Sequence, residues 1–171
     1  MFSIHLQKLF LMTQSLLLPN KVKKIGWIIL VPASIVGAAL IVSGFDTLQL
    51  NAKVFALYHS EIFGKSHFLT FIDTNIVNTL VGVLFLIGAL LVAFSKEKYE
   101  DEFISNLRQS SLLWAVLVNY VLLLVAFVFI YGTAFLNVMV YNMFTVLIFF
   151  IARFNYVLYR NAKTVSDEKY N

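Results

Sequence analysis

The chain has 171 residues, of which 60% are hydrophobic, 16% aromatic and only 13% charged, and its mean hydropathy is +0.84. Soluble domains carry roughly 25% charged residues, so this composition points to an integral membrane protein and excludes a disordered chain or a nucleic-acid module. The absence of cysteine excludes a disulfide scaffold, a Cys-ligated zinc or iron–sulfur site, a thiol nucleophile and S-palmitoylation.

Residues 1–20 come first. On a helical wheel Phe2, Leu6, Leu9, Leu16 and Leu17 share one side, while Ser3, Gln7 and Gln14 mark another. That pattern predicts an amphipathic interfacial helix on the cytoplasmic leaflet, stopped by Pro19 and Asn20, with Lys21, Lys23 and Lys24 reaching headgroups. A signal peptide is not expected, because no small-residue cleavage site follows the apolar run and Thr13, Gln14 and Ser15 interrupt it.

Residues 21–161 form the membrane domain. A spanning helix needs about 20 mostly apolar residues, and four runs qualify, at about 25–45, 76–94, 112–131 and 134–152. Span one has no charge, and Ala33, Gly37 and Gly44 on one side of it permit close helix approach. The loop after it, 46–74, is too apolar to be free: Val54, Phe55, Leu57, Tyr58, Ile62 and Phe63 fit a short helix ended by Gly64, a partly helical cap over the outer end. In the second loop Ile104, Leu107, Ser111 and Trp114 recur at helical spacing, so span three extends past the bilayer with Glu100, Asp101 and Glu102 in its first turns. Only a turn around Gly132 and Thr133 separates spans three and four, which makes them antiparallel neighbours. Span four ends at Arg153, which can snorkel to headgroups, and residues 162–171 read as a disordered cytoplasmic tail.

Lysine and arginine sit on one side of this scheme. All thirteen except Lys53 and Lys65 fall in the N-terminal tail, the second loop or the C-terminal segment, so both termini are expected in the cytoplasm and the chain in the cytoplasmic (inner) membrane of a bacterium. Anionic lipid and these flanks account for the net charge of +4 without nucleic acid.

The spans carry no Asp, Glu, Lys, Arg or His at their centres, which argues against ion-coupled transport, and no internal repeat marks an inverted-repeat transporter. His5, His59 and His67 all lie outside the spans, so a bis-His haem is excluded and no cofactor is expected. The polar content is Asn78, Asn119, Tyr120, Tyr141, Asn142 and Thr145, with Ser111, Ala115 and Asn119 on one side of span three and Asn142 and Thr145 on one side of span four. These stripes should face each other. They form either a polar groove for a ligand or headgroup or, as the favoured reading, interhelical hydrogen bonds that fix register at about 0.6 kcal/mol each. His59, Glu61, His67 and Asp73 match no zinc spacing such as His-Glu-x-x-His, and no metal is assigned to them. No nucleophile elbow, phosphate loop or carboxylate motif supports an enzyme, and a lipid-acting site at the outer cap would need His59, His67 and Asp73 together.

The densest charge lies between Lys96 and Arg108. Glu100, Asp101, Glu102 and Arg108 are the candidate partner surface there, weighed against a solvated helix end that only sets topology. The runs Phe94-Ser-Lys-Glu-Lys, Glu100-Asp-Glu-Phe-Ile-Ser-Asn-Leu-Arg108, Ser111-Leu-Leu-Trp114 and Asn119-Tyr120 resemble a family of small uncharacterised four-span bacterial membrane proteins. The resemblance implies the four-span fold and raises the expectation of a binding role, but supplies no activity or catalytic residue.

The expected protein is therefore an all-α integral membrane four-helix bundle. Its expected function is that of a non-enzymatic sensor, scaffold or accessory subunit that binds the lipid bilayer and a cytoplasmic or membrane protein partner, or a second copy of itself as a homo-oligomer. The alternative is a small oligomeric permease or pore with an Asn/Tyr-lined path.

Overall fold

Long apolar runs satisfy their backbone groups internally, and in this protein they become helices, one of them with Pro32 in its interior. The computed structural model describes residues 17–44, 48–60 and 66–168. The element order is α1 (Asn20–Ser43), β1 (Asn51–Ser60), β2 (Ser66–Asn75), α2 (Val77–Ala93), α3 (Glu102–Phe129) and α4 (Thr133–Glu168). Three helices, α1, α3 and α4, are long and apolar enough to cross a membrane, and α2 is a shorter apolar helix of 17 residues. The protein is thus mostly helical and of multi-pass membrane type.

Two expectations change. The fold is not all-α, because the segment read as a helical cap is an antiparallel hairpin in which Asn51 pairs with Asn75, Phe55 with Phe71 and Ser60 with Ser66. A short apolar run fits both periods, and here cross-strand aromatic pairs decide: the rings of Phe55 and Phe71 lie 5.4 Å apart and those of Tyr58 and Phe68 5.0 Å apart. Val54, Phe55, Leu57 and Tyr58 belong to β1, while Ile62, Phe63 and Gly64 lie outside the described residues. Second, the segment from residue 162 read as disordered continues α4 as helix through Glu168. No Gly or Pro interrupts α4 anywhere along its length. The interfacial helix expected over residues 1–20 lies almost wholly outside the described residues, of which Leu18 pairs with Ser95 as a parallel bridge and Asn20 begins α1.

Contacts divide the chain into two units, one reaching Ile28 and resuming at Leu86, the other Ile29–Phe85. In the second unit Asn75 closes the hairpin onto α2. Its Oδ1 accepts from the backbone of Leu50 (3.2 Å) and Val77 (3.1 Å), and its Nδ2 donates to Leu48 O (2.9 Å). Asn75 is therefore both hairpin root and helix N-terminal cap.

In the first unit α3 and α4 form an antiparallel pair, joined where Gly132 takes φ +71°, a left-handed conformation that glycine adopts without penalty. The register holds along the pair: Arg108 meets Phe154, Trp114 meets Phe149, Asn119 meets Asn142 and Phe127 meets Phe135. In the same unit Gly26 lies flat against α2, where an added Cβ would stand 2.9 Å from Leu91 Cβ, Val92 Cγ2 and the backbone nitrogen of Val92. Such contact needs glycine, and Gly26 is one the small-residue pattern of span one did not single out.

Candidate functional site

The last turn of a helix leaves carbonyls without partners, and a short polar linker must satisfy them. At the end of α2 this role falls to Arg108, the seventh residue of the next helix. Its Nη1 donates to Ala93 O and Ser95 O, both at 3.0 Å, and its Nη2 to Glu100 Oε1 and Oε2 at 3.0 and 3.1 Å. The carboxylate is held in turn, since Glu100 Oε2 also accepts the backbone N–H of Glu97 at 2.8 Å. Arg108 and Glu100 are 12% and 9% exposed along their side chains, so the pair is nearly desolvated. A charge in that setting needs partners, and Arg108 combines four hydrogen bonds from its two terminal nitrogens with a ring contact, its guanidinium 5.0 Å from the centre of Phe154.

A second pair flanks the first. Lys23 of α1 is ion-paired with Glu97, and its ammonium stands 5.8 Å from the same Phe154 ring. The strand-like contact of Leu18 adds backbone bonds, Leu18 N to Phe94 O at 2.8 Å and Lys96 N to Leu18 O at 2.9 Å, and Asn20 Nδ2 donates to Lys96 O at 2.7 Å. Ser95 is buried, with its hydroxyl donating back to Leu91 O. Together these groups clasp the start of α1, the end of α2, the start of α3 and Phe154 of α4.

The helix geometry of α3 explains why Arg108 turns inward. Arg108, Ser111, Ala115 and Asn119 follow one another at three- and four-residue steps, so they share one face, and the last three are buried. Extending the small-polar stripe one step toward the N-terminus would have found Arg108 in the sequence. The hydroxyl of Ser111 and Nε of Arg108 are buried on this face without a partner among the described residues.

The expected partner surface is thus largely engaged within the fold. Glu100 and Arg108 hold each other; Asp101 is the N-cap of α3, its Oδ1 accepting from Ile104 N at 2.8 Å; Glu102 alone of the four is exposed with no such role. Beside it, Tyr99 and Phe103 are exposed apolar side chains.

Of the polar interior, the structure brings Asn119 and Asn142 together, Nδ2 of Asn142 donating to Oδ1 of Asn119 at 3.1 Å. Thr145 bonds back to Tyr141 O within α4 at 2.9 Å, Tyr141 is half-buried, and Tyr120 and Asn78 are exposed. Among these groups the structure shows one direct pairing, that of Asn119 with Asn142. Arg153, expected to reach headgroups, stands 4.9 Å from the Trp114 ring and donates to Ser110 O at 3.3 Å.

The hairpin register sets His59 opposite His67 and Lys53 opposite Asp73. Glu61 and the His67 side chain lie outside the described residues, and among the described residues no three metal-ligating side chains gather.

No family model matches the chain, and no curated protein or solved structure matches it.

Proposed function

We propose that the protein is a non-enzymatic scaffold or accessory subunit of the bacterial cytoplasmic membrane, with four spans, of which α2 is one, and both termini in the cytoplasm. Its docking surface is the helical arm that α3 and α4 raise beyond the bilayer. The observation that carries this reading is helix length. At about 1.5 Å per residue the 36 residues of α4 measure about 54 Å, against an apolar bilayer core of about 30 Å. The 28 residues of α3 measure about 42 Å, and its excess lies at the same end as that of α4.

The distribution of Lys and Arg supports placing that end in the cytoplasm. Tyr156 and Tyr159 are exposed on the arm, and the antiparallel register carries Tyr159 to the level of Phe103. Exposed tyrosine and phenylalanine next to one free acid, Glu102, make a surface of the type that anchors protein partners. The charged knot beneath holds the arm rigid rather than meeting the partner itself.

Photo-crosslinking in native membranes tests the reading, with a crosslinking amino acid at Tyr156 or Tyr159 and a control at Leu124. The expected result is a discrete adduct with the same protein from both arm positions and none from Leu124. Adducts to lipid alone at all three positions would remove the docking role.

A further inference from the structure

A two-stranded sheet standing alone in water is only marginally stable, and one that exposes large apolar side chains needs a cover. The hairpin of β1 and β2 is of this kind. Phe55, Leu57, Tyr58, Phe68, Leu69 and Phe71 are 53–73% exposed, three of them phenylalanine and one tyrosine. By register Phe55 and Phe71, and Leu57 and Leu69, share one face. Leu69 takes φ +52°, a backbone conformation that is costly for a branched side chain, and around it the alternation lapses so that Tyr58 and Phe68 are exposed as well.

The surface does not begin at the hairpin. Within the same unit Ile35, Ile41 and Val42 of α1, Leu48 and Leu50 of the connecting segment, and Leu80 and Val83 of α2 are also exposed. On α1, one of the helices long enough to cross a membrane, such side chains meet lipid. The tethers are short: β2 ends at Asn75, α2 begins at Val77, and Ile76 N donates to Leu50 O at 3.0 Å. The root of the hairpin is thereby fixed where an apolar helix starts, and at that root Lys53 faces Asp73 and Asn51 faces Asn75, a polar band.

We propose that the hairpin is a lipid-binding element, lying along the adjacent leaflet with Phe55, Leu57, Tyr58, Phe68, Leu69 and Phe71 in the boundary between headgroups and acyl chains. Continuity with the lipid-facing surface of α1 selects a bilayer over a second copy of the chain or another protein. Aromatic side chains are the residue type that favours this depth, with rings in the apolar layer and the Tyr58 hydroxyl able to reach headgroups. The proposal needs α1 to span the membrane and does not depend on the docking role of the arm.

The chain has no cysteine, so a single introduced one reports one place. Nitroxide labels on Phe55→Cys, Leu57→Cys, Phe71→Cys and Lys53→Cys are compared in vesicles of phosphatidylcholine and phosphatidylglycerol, through collision with oxygen, which concentrates in lipid, and with a water-soluble nickel chelate. The expected result is a ratio of oxygen to nickel accessibility several-fold higher at positions 55, 57 and 71 than at 53. Equal ratios at all four overturn the proposal by placing the hairpin in water, and dipolar broadening at 55, 57 and 71 overturns it in favour of a second copy. Hydrogen–deuterium exchange of the unaltered protein guards against misfolded variants: hairpin amides should exchange more slowly in lipid nanodiscs than in detergent whose micelle leaves the ends of the spans bare, and equal rates count against the proposal.

Discussion

Around Arg108 two cations, two carboxylates and one aromatic ring are gathered within bonding or ring-contact distance and largely withdrawn from the surface, whereas along the hairpin Phe55, Leu57, Phe68 and Phe71 stand more than half exposed. Two ion pairs of the chain's most charged stretch are thus drawn inward while Lys98, Asp101 and Glu102 beside them stay exposed, and one of its most apolar stretches outside the long helices is part of its surface. In water the opposite assignment would hold. Where lipid takes the place of water around much of the molecule, apolar exposure carries no penalty, while backbone and charged groups near the bilayer must find partners inside the protein.

That contrast is most easily broken at Arg108. Arg108→Met leaves Glu100 and the carbonyls of Ala93 and Ser95 buried without their donor, and removing one partner of a buried pair costs about 3–5 kcal/mol. Equilibrium unfolding in mixed micelles should show this as the largest loss of any single change in the linker. Gly26→Leu comes next: the added side chain meets a backbone nitrogen that cannot yield, so α1 and α2 must part, at about 1–3 kcal/mol in the same assay. Asp101→Ala removes the N-cap of α3 and should cost about 1 kcal/mol, whereas Glu102→Ala should stay within about 0.5 kcal/mol, separating two neighbouring acids by role. The Asn pair also has a small effect. Asn119→Leu with Asn142→Leu should change stability by about 0.6 kcal/mol and leave crosslinking at Tyr159 intact.

Much of the architecture was legible in the sequence, because long apolar runs and their breakers are strong signals. The continuous α3, the turn at Gly132 and the meeting of Asn119 with Asn142 follow from spacing alone. The hairpin was not legible: over ten residues the run from Asn51 matches a helical stripe and a strand alternation equally, and only the partner strand at Ser66–Asn75 decides. The engagement of Arg108 was half legible. Its place on the Ser111–Asn119 face is local periodicity, but the carbonyls of Ala93 and Ser95 and the ring of Phe154 come from other segments, and no spacing within α3 announces them. Gly26 was missed although it extends the Ala33, Gly37 and Gly44 side by two turns, because Val22, Lys23, Ile29 and Leu30 at the nearer three- and four-residue steps are all large.

The central claim is that Glu97 and Glu100 of the linker are engaged with Lys23 and Arg108 inside the fold, leaving the arm to meet a partner. A double-mutant cycle on Glu100→Gln and Arg108→Met, read as unfolding free energy in mixed micelles, tests it most directly. The account predicts that the two changes fail to add, with a coupling toward the upper part of the 0.5–3 kcal/mol range, about 2 kcal/mol, seen for contacting groups. Simple additivity, with each change costing little, would contradict it and return Glu100 and Arg108 to the surface as a docking site.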